Sequence, residues 1–120
     1  MVKIIRLKKE KFDEKFSEHG DPTFSGYIKA FTDGGTIFAR EDANKSDILH
    51  EEGHIKHKEL TEDKRREWHI FWLENKNRLS DTNGAKRIVR LDPNEAFAET
   101  YSKCKLGKSR DSNMCKRFFR

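Results

Sequence analysis

The segment His50-Glu51-Glu52-Gly53-His54 constrains this chain more than any other. Two imidazoles four residues apart meet at one spot only if the segment is helical, since four residues advance ~40° around an α-helix and rise ~6 Å. Histidines at that spacing match paired zinc ligands. Glu51, ~100° round the helix from His50, reaches a metal-bound water rather than the metal. With five histidines in 120 residues, about 0.02 chance matches to H-E-x-x-H would be expected. Gly53 adds a second constraint: glycine within a helix costs about 1 kcal/mol relative to alanine, and such a residue marks close approach of another backbone.

The surrounding sequence predicts a small α+β domain. Residues 2–7 suit an edge strand, and residues 8–19 form a helix with Phe12 and Phe16 on one face, ending at Gly20. Residues 27–31 and 36–40 read as a hairpin joined through 32–35. Asn44 or Ser46 caps the helix bearing His50 and His54, which runs to about Glu59, and Thr61 caps the next. Trp68, Phe71, Trp72 and Leu79 mark that helix's buried side. Residues 80–84 read as a loop, and residues 87–91 as a short strand or irregular chain. Asp92-Pro93-Asn94-Glu95 opens a last helix with a cap, a proline at its first position and a glutamate three after the cap, closed by Gly107.

A zinc ion held by two such histidines needs a third protein ligand and leaves a fourth position for water. His57 shares their helix face, but two turns (~10.5 Å) beyond His50 it fits a rim or supporting role better than ligation. Glu95 and Glu99, four apart on one face, form the stronger pair: one carboxylate ligates while the other accepts the far N–H of a ligand histidine.

His50-Glu51-Glu52-Gly53-His54 followed by Glu95-Ala96-Phe97-Ala98-Glu99 resembles the gluzincin zinc metallopeptidases, most nearly the catalytic domains of the anthrax lethal factor and Pro-Pro endopeptidase group. The resemblance covers roughly residues 25–105. It implies His50, His54 and Glu95 as zinc ligands, Glu51 as general base and Glu99 as a supporting residue. It implies a minimal zincin-like domain: a small antiparallel sheet, the zinc helix beneath it, a backing helix and a C-terminal glutamate helix. Those relatives commonly carry an acid where this chain has His57, and an oxyanion-stabilising tyrosine where it has Ile88. Lys86, Arg87, Arg90, His69 and Tyr27 are the substitutes available, whereas Tyr101 lies ~120° from the metal-facing side.

The expected activity is peptide-bond hydrolysis on a protein or peptide substrate, held extended against residues 36–40 as a sheet edge. Two other readings stand beside it. One resembles the intracellular H-E-x-x-H peptidases that cleave repressors of mobile elements, and the other is a non-catalytic basic module with structural zinc.

Composition bears on the setting. Hydrophobic residues are 33% of the chain, so the core is thin and a metal binding only the folded state would add to its stability. No apolar run is long enough to cross a membrane and the start lacks signal-peptide features, so a cytoplasmic protein with Cys104 and Cys115 as thiols is expected. Residues 1–107 read as the peptidase domain and 108–120 as a basic tail. The basic residues from Lys105 onward allow a frayed terminus, an electrostatic contact with nucleic acid, or a self-blocking segment whose Cys115 thiol ligates zinc.

Overall fold

The computed structural model describes residues 2–19, 29–83, 91–109 and 112–119. It is an α+β chain that divides into two compact units, Met1–Glu52 and Gly53–Arg120, the division falling inside one helix.

The first unit is built on three strands, β1 (Lys3–Leu7), β2 (Ala30–Asp33) and β3 (Thr36–Arg40), in the order β1-β3-β2. Gly34 and Gly35, at φ of 57° and 83°, make the two-residue turn between β2 and β3. Both positions need positive φ in such a turn, which is why two glycines stand there. The turn is tighter than residues 32–35 suggested: Thr32 and Asp33 belong to β2, and Asp33 pairs with Thr36. Residues 27–28 lie outside the described residues.

β2 and β3 are antiparallel, but β1 pairs with β3 in parallel, Lys3 opposite Thr36 through Leu7 opposite Arg40. The sheet is therefore mixed, not antiparallel as expected. The chain leaves β1 through helix α1 (Lys9–His19) before returning, and a crossover of that kind delivers a parallel strand. β3 is thus the central strand with both edges paired. The expectation that residues 36–40 form a free edge for substrate is overturned; β1 and β2 are the edges.

Phe12 and Phe16 of α1 pack on Phe31, with ring centroids 5.5 Å away in each case, and Phe31 stacks on its cross-strand partner Phe38 at 5.3 Å. Ile37 and Ala39 point to the opposite face by strand alternation and are fully buried. Thr32 points the same way, and its Oγ1 donates a long hydrogen bond (3.4 Å) to the carbonyl of Glu51 in α2 (Lys45–Glu59).

The second unit contains the rest of α2, then α3 (Glu62–Asn83), α4 (Pro93–Lys105) and α5 (Ser112–Phe118). Thr61 caps α3 by accepting from the Lys64 N–H at 3.2 Å. Trp68, Trp72 and Leu79 are buried and Phe71 half-buried, as the stripe predicts. The helix continues through residues 80–83 where a loop was expected; buried Leu79 anchors the preceding turn, and adding residues to an existing helix is far easier than nucleating one. Residues 84–90 are outside the described residues.

The core of this unit is aromatic. Trp68 meets Phe97 edge-on at 5.2 Å and Phe119 at 5.9 Å, and Phe97 meets Phe119 at 4.9 Å. The Trp68 Nε1–H donates to the Pro93 carbonyl at 2.9 Å, so the one polar atom of that fully buried ring is satisfied. α4 ends in a Schellman turn: Gly107, at φ 69°, donates to the Cys104 carbonyl and Lys108 to that of Lys103.

Among the described residues after Gly107, 112–118 are helical and packed, and Cys115 is not a thiol. Cys104 and Cys115 form a disulfide, α5 buries Met114, and Phe119 enters the aromatic core. The expected thiols are absent, and Cys115 cannot ligate zinc while bonded to Cys104. That removes a Cys115 thiol as the blocking ligand. Among the described residues no helix is long and apolar enough to cross a membrane.

Candidate metal centre

The start of α2 is fixed by a reciprocal capping box: the Asp47 N–H donates to Asn44 Oδ1 at 2.9 Å and the Asn44 N–H to Asp47 Oδ2 at 3.1 Å. Of the two expected caps, Asn44 is the one used. With the frame set there, His50, Glu51 and His54 fall on adjoining turns. One donor atom from each lies within 4.8 Å of the others, and all three side chains are half-buried. This group can hold a metal ion.

In the second unit, Glu95 reaches α2 from α4. The Asp92 carboxylate caps α4 by accepting from the N–H groups of Asn94 (2.9 Å) and Glu95 (3.4 Å). The Glu95 side chain is directed to His54, whose Nε2 stands 3.1 Å from Oε1. That is a hydrogen-bonding distance, and it is also near the separation of about 3.3 Å between two ligands at ~2.0–2.1 Å from a tetrahedral zinc.

Gly53 is what permits this approach. A Cβ built there would stand 2.7 Å from the Cα of Ala98, 3.0 Å from its carbonyl oxygen and 3.1 Å from the Tyr101 Cβ. The two helices touch backbone to backbone three residues beyond Glu95. The sequence flagged Gly53 as a contact point but not its partner; a small residue between the two glutamates of α4 was the available signal.

Glu99 is half-buried one turn after Glu95. The His57 ring lies 4.9 Å from that of Phe97, and burial there, aided by nearby Arg65 and His54, pushes its pKa below the usual histidine value. His69 is exposed beside Trp72 on α3, and Tyr101 is buried against Phe119. Tyr27, Lys86, Arg87, Ile88 and Arg90 lie outside the described residues. Thr32 went unnoticed in the sequence: its hydroxyl ties edge strand β2 to the carbonyl of Glu51.

The chain matches no protein family, no curated protein and no solved structure.

Proposed function

We propose that this chain is a zinc-dependent metallopeptidase in which His50, His54 and Glu95 hold the metal and Glu51 is the general base. The observation that carries the reading is the 3.1 Å approach of Glu95 Oε1 to His54 Nε2, which brings a carboxylate from a separate helix to one of the two histidines. Zinc would supply Lewis acidity, lowering the pKa of a bound water and polarising a scissile carbonyl.

The protein's own residues do the rest. Glu51, whose carboxylate lies within 4.8 Å of the two histidine nitrogens, takes the proton from the attacking water and delivers it to the leaving amine. Glu99, one turn along α4, supports the ligand set as an outer partner. With β3 committed on both sides, an extended substrate would add to an edge strand. β2 is favoured, because Thr32 joins it to the turn that carries Glu51.

A structural site would be closed by four protein ligands. His50, Glu51, His54 and Glu95 are all half-buried rather than enclosed, which favours a site open to water and substrate. The Cys104–Cys115 disulfide favours an oxidising compartment over the cytoplasm. The test is zinc content and turnover of a mixed peptide library by wild type and Glu51→Gln. Wild type should bind about one zinc and cleave, and Glu51→Gln should keep the metal and lose cleavage. Equal turnover by both would remove Glu51 as base, and absence of zinc would remove the centre.

A further inference from the structure

Charge is unevenly divided along the chain: residues 53–120 hold 17 Lys and Arg against 10 Asp and Glu, whereas residues 1–52 hold 9 against 11. The excess is concentrated late, since residues 103–120 contain seven Lys and Arg and the single acid Asp111. The fold gathers these cations. The disulfide joins Cys104, flanked by Lys103 and Lys105, to Cys115, followed by Lys116 and Arg117. The Schellman turn returns Lys108 to the Lys103 carbonyl at 2.8 Å. Arg117 Nε lies 2.9 Å from Glu67, which also takes Lys64 at 3.3 Å, so the row extends onto α3 with one carboxylate between two cations. Lys64, Lys105, Lys108, Lys116 and Arg117 are exposed.

We infer that this row of cations, set on the disulfide-joined ends of α4 and α5, is a docking surface for the phosphate backbone of double-helical nucleic acid. A duplex carries one negative charge per ~1.7 Å of axis, and neutralising it releases condensed counterions. Binding to single strands draws on exposed rings for base stacking. Among the described residues of α4 and α5 no aromatic is exposed: Phe119 is buried and Phe118 half-buried against Trp68. An anionic bilayer would be gripped by apolar side chains beside the cations. Among the described residues the exposed large apolar side chains are Ile4, Ile70, Leu73 and Leu91; none is on α4 or α5, and the two on α3, Ile70 and Leu73, follow Glu67, where the row ends. The surface therefore reads charge and not sequence, and it owes nothing to the metal centre.

The experiment is fluorescence anisotropy of a 20-base-pair DNA duplex with the full chain, oxidised, at 50 and 200 mM salt. Vesicles containing one-third anionic lipid and polyglutamate serve as rival polyanions. Four phosphate contacts predict about 10²-fold weaker binding at the higher salt. Lys105→Glu, Lys108→Glu and Lys116→Glu combined should weaken binding at least ~10-fold and flatten the salt slope by about 2.7. The matched reversal Lys8→Glu, Lys9→Glu and Lys45→Glu, on exposed lysines of the first unit, should leave both nearly unchanged. Far-UV circular dichroism confirms that each variant is folded. Absent or salt-insensitive duplex binding, equal losses in the two variants, or tighter binding to vesicles or polyglutamate would each overturn the inference.

Discussion

Gly53 of α2 lies so close to α4 that a Cβ in its place would come within 2.7 Å of the Ala98 Cα. The atom it would meet is backbone, which cannot swing aside as a long side chain would. Glu95 is three residues from Ala98 on the same helix, so the helix separation at this crossing also sets how far the carboxylate stands from His54.

Gly53→Ala separates two opposed effects. Helix propensity alone would stabilise the protein by about 1 kcal/mol, whereas overpacking typically destabilises by about 1–3 kcal/mol. A contact of 2.7 Å decides for the second. Thermal unfolding should show a lower Tm, and zinc titration a weaker site, because α4 is pushed away from His54. A Tm at or above wild type would mean the helices separate without strain.

Glu95→Ala and Glu99→Ala distinguish a ligand from its support. The contact of Glu95 with His54 predicts the larger loss of zinc affinity for Glu95→Ala. Glu99→Ala should lose about 10–100-fold, the usual effect of removing an outer partner. Competition with a zinc-sensitive dye gives both constants, and the reverse order would exchange the two roles.

The disulfide closes a loop between residues separated by 11 in sequence. Chain-entropy arguments for a loop of that size give about 2–3 kcal/mol of stabilisation. Urea unfolding with and without a phosphine reductant should show a loss of that order. Because Phe119 packs on Trp68 and Phe97, tryptophan fluorescence should change on reduction before the chain unfolds globally.

His57 gives a signed pH dependence. Burial against Phe97 lowers its pKa in the folded state, so the unfolded chain binds more protons in the window below the ordinary value of about 6.5. The contribution is fully present above that value and is lost as pH falls through the lowered folded pKa. In metal-free protein, His57→Phe should flatten the slope of stability with pH across this window, and an unchanged slope would place the titration elsewhere.

What could be read from the sequence was local. Asn44, Thr61 and Asp92 announce helix starts because a cap bonds N–H groups two or three residues away, and Gly34-Gly35 announces a hairpin because few residues accept positive φ. The turn carrying His50 and His54 was legible for the same reason. Pairings between distant segments were not: nothing in residues 3–7 states which side of β3 they join or in which direction. α5 was hidden by its charges, although Met114 and Phe118, four apart, already carried the apolar face of a helix. The state of Cys104 and Cys115 was misjudged because compartment was inferred from the beginning of the chain and then used to assign the thiols.

The parallel seating of β1 has a consequence for the order of folding. The β2–β3 hairpin closes over two residues, and hairpins form in about 1–10 μs. Lys3 and Thr36 must instead find each other across all of α1 and the segment after it, a non-local encounter that carries the larger loop-closure entropy. β1 should therefore be the last strand to join and the first to leave. In native-state hydrogen exchange, the amides that β1 and β3 share should open at lower free energy than those of the hairpin, so partial unfolding of this unit begins by exposing one side of β3.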